Sequence, residues 1–181
     1  MKNLYILLFA SLCFVGCSSD DLENLTSISD DVIITETFEV RVSNTDIPYT
    51  ASIDFDASQE NAFSQFGNKI DDVTVTKITY TILDNVNYQN GENAVIENAT
   101  FDFNSASGSS TNVASISNQN IAAILGSRSD MNFDQNALNA IANEIRSTGK
   151  INADVTVELS DPVDFDLEVT VEMVVTGSIV D

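Results

Sequence analysis

The chain has 181 residues, with 28 acidic against 7 basic side chains, a net charge of −21, no histidine and two cysteines. Such a surface repels nucleic acid and anionic headgroups, both of which are bound through Lys and Arg. The lack of histidine excludes Ser-His-Asp and Cys-His catalysis, and with it the usual Cys/His zinc sites.

Residues 1–16 read as an export leader. Lys2 is followed by an apolar run from Leu4 to Leu12 and then by Phe14-Val15-Gly16-Cys17. The run is shorter than the roughly 20 apolar residues that span a membrane, and Ser18-Ser19-Asp20-Asp21 ends it at once. This order resembles a bacterial lipoprotein signal with its lipobox, departing from it at Phe14, where leucine is usual. The resemblance implies that Cys17 becomes the acylated first residue of the mature protein. Acyl chains such as palmitate would then hold it in the outer membrane. Ser-Ser-Asp-Asp is similar to the surface-export signal of Bacteroidota lipoproteins, which implies the cell surface, with a periplasm-facing location as the alternative. Cys13 would leave with the leader, so the mature domain would have no free thiol and no disulfide.

Residues 17–31 read as an acidic tether, because Asp20, Asp21, Glu23, Asp30 and Asp31 sit among Ser and Thr with few apolar neighbours. Residues 32–181 then form a single β-rich domain of ordinary size. Within it, alternation at period two predicts strands near 33–43, 48–56, 73–83, 94–104 and 111–117. The third changes phase at Thr76-Lys77, which predicts a bulge there. Asn90-Gly91 suits a tight turn between neighbouring strands. Asn132 and Gly149 bracket a helix over 133–147 with Leu138, Ile141 and Ile145 on one stripe, and a shorter helix is expected near 120–125. The final 150–177 reads as a long antiparallel hairpin turning at Ser160-Asp161-Pro162. The predicted fold is mainly β, an antiparallel sandwich or curved sheet with one packed helix; α+β is the alternative.

No motif assembles a reaction. Asp54-Phe55-Asp56 and Asp164-Phe165-Asp166 look alike, and Phe101-Asp102-Phe103 inverts the pattern. Carboxylates two apart on a strand could flank a cation, yet calcium takes six to eight oxygens, usually from a dedicated loop, so inward Phe with outward Asp is the plainer expectation. Among this many acids some pair will also match the spacing of a glycosidase by chance. Gly91, Gly108, Gly126 and Gly149 are dispersed and form no phosphate-binding loop. We therefore expect no catalytic residue, metal or cofactor. The leading expectation is a lipid-anchored, non-enzymatic envelope or cell-surface protein meeting a protein or other extracellular partner in adhesion, interaction or structure. The alternative is a carrier or binding module for a small apolar ligand, with the helix closing a cavity.

Overall fold

Alternation at period two becomes two facing antiparallel sheets in the computed structural model, which describes residues 27–90, 93–104 and 110–178. The elements run β1 Ser27–Arg41, β2 Tyr49–Asp56, α1 Asn61–Phe66, β3 Ile70–Ile82, β4 Asn87–Tyr88, β5 Val95–Asn104, β6 Ser110–Asn120, α2 Ile121–Ile124, β7 Ser129–Asp130, α3 Gln135–Thr148, β8 Lys150–Leu159 and β9 Val163–Ser178. One sheet has the order β1-β9-β3-β7, the other β2-β8-β5-β6. The short β4 continues β3 along the same side of β9, after the detour at 83–86. Successive strands therefore keep crossing from one sheet to the other, and among the described strands only β5 and β6 are paired with their immediate neighbour in sequence. This is the winding of a jelly roll, the expected sandwich in one particular topology.

The crossing habit corrects the expected terminal hairpin. β8 pairs with β2 and β5, whereas β9 pairs with β1, β3 and β4, so 160–162 is an arch between sheets. Ser160 N donates to Val95 O at 3.0 Å, and Gln89 N to Pro162 O at 3.3 Å, tying the arch to both sheets. The alternation of Ile151, Ala153 and Val155 with that of Phe165, Leu167 and Val169 is the same whether two strands lie side by side or face each other across a core. The strands on either side of the expected turn, β4 and β5, belong to different sheets and are not paired with each other; Gly91 itself lies outside the described residues, as do Cys13, Cys17 and Gly108.

β1 is longer than expected at its start. Ser27 to Asp31, read from sequence as the end of the tether, pair with Ser178 to Val174. These five residues are exposed, because they extend the ladder beyond the core, so burial leaves no alternation to detect. Main-chain hydrogen bonds hold them, helped by a 2.8 Å contact between the Ser29 and Thr176 hydroxyls.

In β3 the register shifts between Val75 and Lys77, the expected bulge, and Thr76 Oγ1 donates to Glu172 O at 3.0 Å. A second shift, between Ile70 and Asp72, had no counterpart in the sequence reading. α3 starts later than expected, with Asp134 and not Asn132 as its cap: the Asp134 carboxylate accepts from Ala137 N at 2.8 Å. Upstream, Met131 N donates to Ile78 O at 2.9 Å and Phe133 packs on Phe103, so the chain cannot turn helical before both are placed. Gly149 ends the helix in the left-handed conformation, as its position predicts.

Between the sheets lie Phe55, Phe101, Phe103 and Phe165, all at 0% exposure, with Ile141 and Ile145 of α3. α1, absent from the sequence reading, closes one end through Ala62, Phe63 and Phe66. Its seat depends on Gly177, where a Cβ would stand 2.4 Å from Phe66 Cγ. Gly177→Ala must push the buried ring aside, and we expect a loss of about 1–3 kcal/mol by urea titration; a neutral result would mean that α1 is loosely held.

Candidate functional site

Asp54, Asp56, Asp102, Asp164 and Asp166 point outward from the sandwich, and the two Asp-Phe-Asp motifs do not meet. Asp54 and Asp56 lie on the outer face of the β2-β8-β5-β6 sheet and Asp164 and Asp166 on that of the other, with their phenylalanines buried between. Two sheets packed about 10 Å apart separate the pairs. Among the described residues no group of three or more Asp, Glu, His or Cys is placed to hold a metal ion.

The outer face of the β2-β8-β5-β6 sheet is a lattice of short polar side chains. The register sets Asp54 beside Asn152 and Asn104, then Ser52 beside Asp154 and Asp102, then Thr50 beside Thr156, Thr100 and Ser115. Asn152 Nδ2 donates to Asp54 Oδ1 at 2.8 Å, and Asn104 Nδ2 to Asp154 Oδ2 at 2.6 Å. Asp154 and Asp102 stand directly opposite each other on adjacent strands, and the Asn104 amide offsets part of that repulsion by donating to Asp154. Where the face meets α3, Asp54, Asn104, Asn152, Lys150, Thr148 and Glu144 line an open groove of about 300 Å³. Asn104, Asn152 and Ser52 escaped the sequence reading; their signal was only their parity on the strands.

Chemistry in this groove is limited by its ion pair. Lys150 Nζ lies 2.8 Å from Asp56 Oδ2, and that contact raises the ammonium above its ordinary 10.5, so it is a charged donor and not a free amine nucleophile. The same contact, with the Ser58 hydroxyl, holds the Asp56 carboxyl below its ordinary 3.8. A general acid at neutral pH needs the opposite shift.

On the other sheet, Arg41 Nη2 lies 2.6 Å from Asp166 Oδ1, and Asn85 also donates to that carboxylate. Both bonds hold the Asp166 carboxyl below 3.8. Arg128 bridges Thr79, through Nε at 2.8 Å, to Glu172, while Lys77 pairs with Asp130 at 2.8 Å. Arg41, Lys77, Arg128 and Lys150 are thus spent on internal carboxylates, and the remaining surface is strongly negative.

A carboxyl depressed in the folded state contributes stability in full above its unfolded value and loses it as pH falls through the lowered folded value. The contribution of Asp166 and Asp56 is therefore complete above about pH 4 and is lost as pH falls below it, which makes these two carboxylates part of the acid limb of the stability curve. In Arg41→Ala the Asp166 carboxyl should titrate closer to 3.8, and the acid limb of the stability curve should flatten. Side-chain NMR titration checks this; an unmoved Asp166 would mean that the guanidinium contact does not exist in solution.

No protein-family profile and no curated protein matches the sequence. Among solved structures, the chain is similar to one from Desmodium yellow mottle tymovirus at 9% identity and a TM-score of 0.37, over 85% of both chains. It is similar to VP2 of infectious bursal disease virus at 12% and 0.33, over 86% of this chain and 37% of that one, and to turnip yellow mosaic virus at 6% and 0.31, over 85% and 97%. The chain thus spans little more than a third of VP2. These likenesses are too remote to assign an activity or a partner.

Proposed function

We propose that the protein is a non-enzymatic interaction module, anchored in the bacterial outer membrane by acyl chains on Cys17 and facing the cell exterior. The observation that carries this is the Phe14-Val15-Gly16-Cys17 sequence with its acidic successor, standing only ten residues before the first strand at Ser27. Ten peptide steps reach at most about 35 Å, so the domain would work close to the membrane. That is shorter than a tether running to Asp31 would give. Its acidic surface favours standing off from anionic headgroups and meeting a cationic partner.

A carrier for an apolar ligand would need an enclosed apolar space of several hundred cubic ångströms. Phe55, Phe101, Phe103 and Phe165 occupy the middle of the sandwich, which favours the interaction reading. Treating intact cells with a protease too large to cross the outer membrane tests the location. Loss of the domain without permeabilisation is expected; full protection until the membrane is opened would place it on the periplasmic side.

A further inference from the structure

β1 is the outermost strand of its sheet, and one side of it pairs with β9 without a register shift from Ser27 to Arg41. Among the described residues its other side pairs with no strand. Val42 N donates to Val163 O at 3.3 Å, which fixes the parity of the ladder. Alternate residues Ser29, Asp31, Ile33, Thr35 and Thr37 must then aim their N–H and C=O groups away from β9. The Tyr49 hydroxyl caps this edge at Glu39 by donating to its carbonyl at 2.8 Å. Among the described residues, 29–37 is left as a row of main-chain donors and acceptors with no strand beside them.

Edges of this length are ordinarily blunted by proline, lysine or a bulge. Ser27–Arg41 has no proline, no lysine and no bulge. Two of the large exposed hydrophobic side chains lie here, Ile28 at 38% and Ile33 at 59%. What protects the edge is charge: Asp30, Asp31, Glu36 and Glu39 are all on this strand. Carboxylates on a chain of net charge −21 oppose pairing with a second copy of the same strand and favour one of opposite sign.

We propose that the open edge of β1, over 29–37, accepts an extended lysine- or arginine-bearing segment of another protein as an added strand. Main-chain hydrogen bonds supply the affinity, while Asp30, Asp31, Glu36 and Ile33 select basic residues alternating with apolar ones. This rests on the interaction-module reading and is independent of the anchor.

The test is hydrogen exchange on the full chain isolated from cells, with the peptide Lys-Thr-Lys-Val-Thr-Val-Lys-Thr-Lys as probe. Exchange over 29–37 should slow by about tenfold or more, and a peptide of equal charge with proline at alternate positions should have no such effect. Ile33→Pro removes an outward N–H and no bond to β9, so it should abolish the protection. Asp30→Lys with Asp31→Lys should abolish it as well and serves if the proline variant does not fold. No protection at about millimolar probe, or equal protection by the proline peptide, would overturn the proposal. Protection of 29–37 in the chain alone, rising with its concentration, would overturn it in favour of self-pairing. A partner captured from the envelope that protects another face would leave the interaction reading standing and still remove β1 as its site.

Discussion

Replacing Phe103 by alanine is expected to lower the unfolding free energy by about 3–5 kcal/mol. The ring is fully buried on β5, with its centroid 5.7 Å from that of Phe55 on β2 and 5.6 Å, edge-on, from that of Phe133 ahead of α3. It joins the floor of one sheet to the segment that leads into the helix, so truncation leaves a cavity that neither neighbour can fill without leaving its own strand or cap. In a domain of this size such a loss lowers Tm by roughly 10 °C. The urea midpoint should move with its slope unchanged. Phe133→Ala should cost less, since that side chain is only partly buried against the core. Equal costs at the two positions would mean that the contact, and not the burial of Phe103, dominates.

Cys17→Ser is expected to have the largest effect on function. Each buried methylene is worth about 0.8 kcal/mol, and one acyl chain alone gives only marginal membrane binding, so a stable anchor requires several on one residue. Serine removes the sulfur they would be attached through. Incorporation of labelled palmitate should fall to background, while Cys13→Ser, within the proposed leader, should retain it in full. Circular dichroism and Tm of the variant are the control, and both are expected to match the parent chain. Label persisting in Cys17→Ser would mean that the acylation is elsewhere or that the leader reading is wrong.

The strands were legible in the sequence because one face of each is buried, and burial imposes a period of two on residues such as Val155 and Val169. Their partners were not, since a residue's parity reports that it faces the core and not which sheet it faces from. The arch at 160–162 therefore looked like a hairpin turn. Where burial stops, so does the signal: Ser27 to Asp31 form strand by main-chain pairing without burying a side chain. α1 escaped for the opposite reason. Its buried Ala62, Phe63 and Phe66 have helical spacing, but six residues are too few for a period to stand out from the flanking 3₁₀ turns. The phase change at Thr76-Lys77 was legible because a bulge flips every residue beyond it to the other face.

The polar lattice of Ser52, Asp54, Asn104, Asn152 and Asp154 shows what no single strand reveals. Each strand there alternates polar with apolar like any half-buried strand. Only the register of β2, β8 and β5 sets the Asn152 amide against Asp54 and the Asn104 amide against Asp154. The open edge of β1 is equally invisible, because being outermost is a property of the whole winding.

The intact mass and terminal fragment of the protein purified from its native membrane bear most directly on the proposed anchor. The account predicts a chain beginning at Cys17 that carries fatty acyl groups on that residue. A free Cys17 thiol, or a chain that begins at another residue, would contradict it.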